Sequence, residues 1–432
     1  MAQSFLDELR WRGMLSQTAG EGIEAHLASG SRTAYCGFDP TADSLTLGNF
    51  VALKLLAHWQ RAGHRPIVVV GGGTGLIGDP SGKSAERQLL DPEQVKTNIA
   101  GQRRIFERML DFTGPHAAIV VDNGEWLGRL GYIEVLRDVG KHFSVNQMIV
   151  RDSVSSRLNS REQGISYTEF SYMILQAYDF LHLHRSQHCT VQLGGSDQFG
   201  NIVSGIDLIR RCGAREGDAP AASFGVTAQL LTKADGGKFG KSEQGAVWLT
   251  ADRTTPYRLH QYLLNSADAD VVKFLRWLTF LSKDRVAELE SAHAANPGGR
   301  DAHRALADEL VTLLHGAQEC ARAGATAKAL FSGDVLQLDA GQVADVAGEV
   351  PSWAVPAERL AAGIPLVDAL ADSKVLAASK REAREFIQAG SVLVNGVKAA
   401  PETVLTERDL MHGRAVLVRR GKKLWCAIVR AA

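Results

Sequence analysis

Cysteine is sparse and scattered in this sequence. Cys36, Cys189, Cys212, Cys320 and Cys426 form no C-x-x-C pair, which argues against a disulfide framework or a zinc site and for free thiols. Long apolar runs are missing too: no eighteen consecutive apolar residues occur, so no membrane span is expected. The opening residues, MAQSFLDELRWRG, have neither the apolar core nor the cleavage site of a signal peptide, and the cytoplasm is the expected location. Net charge is absent overall, with 48 Lys and Arg against 48 Asp and Glu. That balance hides an asymmetry. Residues 363–432 hold 12 Lys and Arg against 7 Asp and Glu, a basic tail on an acidic body that suggests an anionic partner for the tail. No long-period repeat is present. What remains is a chain of 432 residues, 45% hydrophobic, sufficient for two or three domains with real cores.

A strand, a loop and a helix organise the first third. Thr33 to Phe38 reads as a buried strand, Asp39-Pro40 stops it, and Gly48 to Ala62 carries apolar residues at helical spacing. The intervening Thr41, Ser44, Thr46 and Asn49 place hydroxyls and amides at a helix N-terminus, a ready site for phosphate. An ordinary capped turn is the simpler reading of these residues alone. A second buried strand, Arg65-Pro-Ile-Val-Val-Val70, runs into a glycine-rich loop ending Gly78-Asp-Pro-Ser-Gly-Lys83-Ser84. Gly73-Thr-Gly-Leu-Ile-Gly78 fits G-x-G-x-x-G, but Asp79-Pro80 breaks the helix a dinucleotide site requires. Gly82-Lys83-Ser84 ends like a phosphate-binding P-loop, yet Ile77 stands where that loop needs glycine. The loop is left as one that lets backbone approach a ligand, with Asp79 as acceptor and Lys83 and Arg87 as cations nearby.

Strands alternating with helices through residue 222 predict a parallel sheet covered on both faces. Tyr172, Gln176 and Asp179 lie four and three residues apart, so they share one face of a helix that is otherwise apolar. A buried unpaired carboxylate is costly, so this stripe predicts a small polar pocket. Thr190-Val-Gln-Leu-Gly-Gly195-Ser-Asp-Gln198 reads as a strand whose carboxyl end joins the Tyr35 and Gly71 loops in one crevice. Leu231 to Ser242 sets Lys238, Lys241 and Ser242 in a glycine-loosened loop, read either as an exposed basic turn or as a mobile clamp on phosphate oxygens. Residues 255–330 predict consecutive amphipathic helices, 331–362 a linker, and 363–432 a charged helix, a strand, an Asn395-Gly396 turn and a basic hairpin.

Taken together, these pieces resemble the bacterial tyrosyl-tRNA synthetases, a class I aminoacyl-tRNA synthetase family, over essentially the whole chain. Thr46-Leu-Gly-Asn49 stands at the place of the HIGH signature and Lys238-Phe-Gly-Lys-Ser242 at that of KMSKS; Tyr35-Cys-Gly-Phe-Asp-Pro-Thr41, Gly78-Asp-Pro-Ser-Gly82, Lys141-His-Phe-Ser-Val-Asn146 and Gln192-Leu-Gly-Gly-Ser-Asp-Gln198 extend the match. The resemblance implies an α/β fold: a Rossmann-like doubly wound parallel sheet as catalytic domain (1–222, with a dimer-forming insertion near 130–165), then the lysine loop and an all-α anticodon-side domain (223–330), the 331–362 linker, and a small α+β S4-like RNA-binding domain (363–432).

It also implies roles. Tyr35 and Asp179 would meet the phenolic hydroxyl of tyrosine, Asp79, Tyr172 and Gln176 its ammonium, and Gln198 its carboxylate. Cys36 and Asp197 would contact the ribose of ATP, with Gly37, Asp39, Gly48, Gly195 and Lys241 also at the nucleotide. Thr41, Thr46, Asn49, Lys83, Arg87, Lys238, Lys241 and Ser242 would surround the leaving pyrophosphate. Lys380, Arg381, Arg384, Arg419, Arg420, Lys422 and Lys423 would face tRNA. Implied partners are tyrosine, ATP with Mg²⁺, tRNA and a second subunit in a homodimer; no tightly bound cofactor, protein-held metal or membrane is expected. Thr46 departs from the family, which usually has histidine there, an exchange expected to touch activation more than substrate identity. The competing readings are a synthetase-derived RNA-binding scaffold with weak or no aminoacylation, and tyrosine adenylation for an acceptor other than tRNA.

Overall fold

The computed structural model describes residues 4–81, 90–151, 154–155, 158, 164–216, 222–237, 239–242, 245–422 and 424–431, with backbone alone at 214–216, 241 and 242. The chain forms two compact units, Met1–Arg253 with Ala267–Ala302, and Thr254–Ser266 with His303–Ala432.

The first unit is built on six strands: β1 (Leu15–Ala19), β2 (Thr33–Phe38), β3 (Arg65–Val70), β4 (Ile119–Asp122), β5 (Cys189–Gly195) and β6 (Phe224–Ala228), in the order β1-β6-β5-β2-β3-β4. β1 runs antiparallel to β6, and all other neighbours are parallel. The chain winds outward from β2 through β3 and β4, then from β5 to β6. The order therefore reverses between β2 and β5, and their carboxyl ends flank the crevice where open sheets bind ligands. A small hairpin, β7 (Lys241–Ser242) and β8 (Gly245–Ala246), follows.

Local chemistry fixes the helices around this crevice. The Leu47–Arg61 helix starts at Thr46, whose side chain caps it, and buries Phe50, Leu53 and Trp59. The Pro92–Met109 helix takes Asp91 as cap and proline in its first turn, where the missing N–H costs nothing. The Tyr167–Gln187 helix is capped by Ser166 and ends at His188 in a left-handed conformation. No side chain from 168 to 184 is exposed. Its apolar side, Ala177, Phe180 and Leu181, packs on Tyr35, Ile67 and Val69 of the sheet, so the polar stripe is carried into the interior with it. Thr74–Leu76 makes only a single 3₁₀ turn, in keeping with a glycine-rich loop that opens no dinucleotide-binding helix.

Gly13 turns left-handed after the Phe5–Arg12 helix, and β1 then joins the sheet edge. Two sequence expectations require correction. The 255–330 stretch is divided between the units: Ala267–Ala302 belongs to the first, where its Asp268–Leu278 helix buries Val271, Phe274, Leu275 and Trp277. Residues 331–362 are not a linker. They contain a helix, Ala340–Glu349, with an Asp339/Gln342 capping box, and the strand β9 (Ser352–Val355). Val335, Leu338, Val343 and Val346 are buried with Leu417, Trp425 and Ala427; spaced three to five apart among Gly and Asp, they look diluted in sequence yet share one face.

In the second unit β9 continues a sheet with β11 (Val392–Val394), β12 (Val397–Lys398), β14 (Ala415–Arg420) and β15 (Leu424–Arg430), in the order β12-β11-β14-β15-β9, while β10 (Ile364–Pro365) pairs with β13 (Val404–Leu405). β9 is parallel to β15 and the remaining neighbours are antiparallel. The Leu366–Ser373 and Lys380–Gln388 helices cover one face through Leu366, Leu370, Ala383 and Ile387 against Val392, Val416, Val418 and Ile428.

Candidate active site

The crevice begins with the loop after β2. The Pro92–Met109 helix holds it: Asn98 Nδ2 donates to the Pro40 carbonyl at 2.8 Å and Gln102 Nε2 to the Ala42 carbonyl at 3.0 Å. Gly101 permits this approach, since a Cβ there would come within 2.1 Å of the Asp43 carbonyl oxygen. Thr41 stands exposed beyond the strand. Gly37 has nothing within 4 Å of where a Cβ would lie, and Gly48 is exposed at the helix start, so both leave room beside the backbone. Thr46 does not offer a free hydroxyl. It donates to Asn49 Oδ1 at 2.7 Å and accepts the Asn49 N–H at 3.4 Å, a capping box completed by the Thr46 N–H on Asn49 Oδ1.

Asp39 lies at the centre. One of its carboxylate oxygens accepts the Tyr172 hydroxyl at 3.1 Å and the other the Thr74 hydroxyl at 2.9 Å. Asp79, 7% exposed, accepts the Ser81 N–H at 2.9 Å and Gln198 Nε2 at 2.7 Å. Gln198 Oε1 in turn accepts from Gln176 at 3.2 Å, and Asn201 Nδ2 donates to Gln176 Oε1 at 2.9 Å. Asp79, Gln176 and Gln198 thus form one connected polar wall, with Tyr172 held separately by Asp39, an arrangement suited to an ammonium group. Burial first, then Asp39 and Asp79, push the Tyr172 phenol well above its ordinary pKa, so it stays a hydroxyl.

Deeper in, Asp179 is 3% exposed. Trp126 Nε1 donates to one carboxylate oxygen at 2.7 Å and Asn123 Nδ2 to the other at 2.9 Å. Burial outweighs both bonds and raises its pKa to about 7, with Asp39 and Asp122 adding to the rise. Beside it, the Tyr35 hydroxyl is fully buried and has no hydrogen-bond partner among the described residues. Burial and then the Asp179 charge push this phenol far up. Gln192, in register with Tyr35 on the neighbouring strand, likewise has a buried Oε1 without a partner among the described residues. Unpaired buried polar atoms typically cost ~1–3 kcal/mol each, so this is a pocket whose hydrogen bonds are incomplete until something polar enters. At its mouth Cys36 is buried, its thiol raised to about 12 by burial and then by Asp197, and the Asp197 carboxyl is itself raised by burial and Asp79. A Cβ on Gly195 would strike Asp197 at 2.5 Å.

The crevice thus gathers Tyr35, Cys36, Gly37, Asp39, Asp79, Tyr172, Gln176, Asp179, Gly195, Asp197 and Gln198. Lys83, Arg87 and Lys238 lie outside the described residues, as do the side chains of Lys241 and Ser242. Sequence reasoning missed Thr74, Asn123, Trp126 and Asn201. The signal for Asn123 was available, because it directly follows β4 at the carboxyl end of a parallel strand.

In the second unit the expected RNA-facing cations divide. Arg419 donates to the Leu330 and Phe331 carbonyls at 3.5 and 3.4 Å and lies over Trp425. Arg420 donates to the Leu376 carbonyl at 2.6 Å and lies over Phe386. Both side chains are thus engaged within their own unit. Lys380 pairs with Asp368 at 2.9 Å, Arg381 is 89% exposed beside Glu385, and Arg384 and Lys422 are exposed; Lys423 is outside the described residues. Glu382, Phe386, Ser391, Arg420 and Lys422 line an open groove of about 560 Å³.

Comparison with known proteins accords with this geometry. Residues 28–332 match the family described as tRNA synthetases class I (W and Y), and residues 342–428 the Tyrosine--tRNA ligase SYY-like C-terminal domain. The chain is 46% identical to the Tyrosine--tRNA ligase of Opitutus terrae over 98% of this chain and 99% of that protein, and 47% identical to that of Roseiflexus castenholzii over 97% and 98%. Among solved structures, C-terminally truncated mitochondrial tyrosyl-tRNA synthetases are similar: that of Coccidioides posadasii at TM-score 0.66 and 32% identity, covering 75% of this chain and 91% of that one, and that of Aspergillus nidulans at 0.68 and 28%, covering 76% and 94%. The chain belongs to the class I tRNA synthetases of the W and Y type, and within them to the tyrosine–tRNA ligases.

Proposed function

We propose that the crevice activates tyrosine with ATP and that the enzyme then transfers the tyrosyl group to tRNA. The buried, unpartnered Tyr35 hydroxyl beside Asp179 carries this reading. A phenolic hydroxyl entering there would accept from Tyr35 and donate to the Asp179 carboxylate, adding to the bonds that carboxylate already accepts from Trp126 and Asn123. Phenylalanine would leave the Tyr35 hydroxyl without that partner, and tyrosyl-tRNA synthetases are the type case of discrimination achieved this way. The wall of Asp79, Tyr172 and Gln176 would take the ammonium, with Gln198 next to the carboxylate.

An oxygen of that carboxylate attacks the α-phosphorus of ATP, the bond to the bridging β-phosphate oxygen breaks, and tyrosyl-adenylate and pyrophosphate result. A hydroxyl of the 3′-terminal ribose of tRNA then attacks the acyl carbon, releasing AMP and a proton. The protein's part is orientation and charge stabilisation. Cys36, Asp197 and the open backbone at Gly37 and Gly48 would receive the nucleoside; Thr41, Asn49, Lys83, Arg87, Lys238, Lys241 and Ser242 would face the phosphates. Thr46 acts on this site by capping the helix. Among the described residues no group of His, Cys, Asp or Glu in the crevice is arranged to hold a metal, so Mg²⁺ would arrive on the ATP phosphates and neutralise their charge there.

The remaining readings concern partners and place. The segment around 130–165 exposes Tyr132, Ile133, Leu136, Val145 and Val150, with Tyr167 just beyond, apolar surface that supports a homodimer. The exposed Arg381 and Arg384, with Lys422 at the open groove, support tRNA contact by the tail. No described helix is long and apolar enough to cross a membrane, and the cytoplasm is the proposed location. ATP–pyrophosphate exchange tests the activation step: exchange with tyrosine and none with phenylalanine is expected, while no exchange with tyrosine would favour the scaffold.

A further inference from the structure

We propose that Asp270 and Lys273 are positioning residues for adenylate formation, seating the lysine loop on the Asp268–Leu278 helix. Asp270 is 4% exposed and its Oδ1 accepts the Ala234 N–H at 2.7 Å. Lys273 Nζ donates to the Thr232 carbonyl at 3.0 Å while lying over the Trp277 ring. Phe274 packs on Phe239, ring centroids 4.5 Å apart. Positions 270, 273 and 274 share one helical face, and their contacts fall on both sides of position 238.

The other end of the same helix is bolted down. Arg12, 2% exposed, donates to the carbonyls of Arg276, Thr279 and Leu281 at 2.6, 3.1 and 2.9 Å. Lys54, fully buried, donates to the Thr279 carbonyl at 2.8 Å and lies over Phe280. Lys54 belongs to the Leu47–Arg61 helix, whose first residues carry the Thr46–Asn49 signature. From the loop side, the Leu47 N–H donates to the Val247 carbonyl at 3.0 Å and the Val247 N–H to the Gly240 carbonyl at 2.8 Å. A Cβ on Gly240 would approach Leu47 Cβ and the Gly48 nitrogen to 3.1 Å. The two signature segments and the Asp268–Leu278 helix therefore close a ring of contacts within one unit. The ring ties the described backbone on either side of position 238 to the start of the Leu47–Arg61 helix, and none of the contacts named here is made by a tyrosine-pocket residue.

Charge stabilisation of a leaving group tolerates little displacement, and a shift near 1 Å costs on the order of 100-fold. Loosening the seat should therefore slow activation without weakening tyrosine binding. The inference rests on the assignment of the lysine loop to the pyrophosphate. The test is single-turnover tyrosyl-adenylate formation, with tyrosine affinity from equilibrium dialysis, for the native chain, Asp270→Ala, Asp270→Asn, Lys273→Met and Lys241→Ala. Asp270→Ala and Lys273→Met are expected to slow activation roughly 10-fold or more with tyrosine affinity within about two-fold of native. Asp270→Asn, which keeps an acceptor for Ala234, should recover most of the rate. Native rates in both seat variants, or tyrosine affinity lost in proportion to rate, would overturn the inference. If Lys241→Ala slows activation while the seat variants do not, only the seat fails; if Lys241→Ala is also native, the loop assignment falls with it.

Discussion

Replacing Trp126 by phenylalanine removes one hydrogen bond and little else. The ring stacks on His182 at 4.4 Å and 14°, a contact phenylalanine can keep, whereas the indole N–H to Asp179 at 2.7 Å is lost. Asp179 is buried with a pKa near 7, held down against burial by this bond and by Asn123. A hydrogen bond to a charged group is worth ~1.5–3 kcal/mol, and one pKa unit corresponds to ~1.36 kcal/mol, so Trp126→Phe should raise the Asp179 pKa by about one to two units. An ionised Asp179 accepts the substrate hydroxyl more strongly than a neutral one. Tyrosine affinity of the native chain should therefore fall as pH drops through 7, and the variant's fall should begin at a higher pH. At pH 7.5 the variant should bind tyrosine about 10-fold more weakly, the gap narrowing towards pH 9 as its Asp179 ionises. Equilibrium dialysis with labelled tyrosine between pH 6 and 9 reads this directly. A pH-independent loss, or none, would refute the assignment of Asp179 as the acceptor.

Other substitutions probe separate links. Tyr35→Phe deletes a buried hydroxyl that has no partner among the described residues, so unfolding by urea should show unchanged or slightly higher stability, while preference for tyrosine over phenylalanine in exchange falls. Thr46→Ala removes the cap of the Leu47–Arg61 helix and should cost ~0.5–2 kcal/mol of stability, with Thr46→Ser near native in urea titration. His58 is buried, and burial, Lys54, Arg12 and Arg61 depress its pKa well below 6.5. The folded form thus binds this proton less readily than the unfolded chain, so its stability is intact above pH ~6.5 and declines below it by at most ~1.4 kcal/mol per pH unit. His58→Leu should flatten that slope between pH 7 and 5.

Much of the crevice was legible because its signals are periodic. Strands with continuous apolar runs and a helix carrying Tyr172, Gln176 and Asp179 at spacings of four and three place the stripe against the sheet by geometry alone. Trp126 was not legible, since its role depends on where β4 ends relative to a helix more than fifty residues later, and Asn123 was signalled only by its place directly after β4. Thr46 and Asn49 both read as phosphate ligands in the sequence, and only the backbone shows that the two also close one cap. The segment 331–362 escaped for a different reason: Gly, Pro and Asp interleave its apolar residues, and only the parallel pairing of β9 with β15 reveals their common face.

The central claim is that a buried phenol and a carboxylate read the hydroxyl of the substrate. Calorimetric titration of the native chain with tyrosine and with phenylalanine at pH 8 tests it most directly. Saturable binding of tyrosine with no detectable heat from phenylalanine is predicted. Comparable binding of both would mean that the buried Tyr35 hydroxyl and the Asp179 carboxylate are not what selects the ligand.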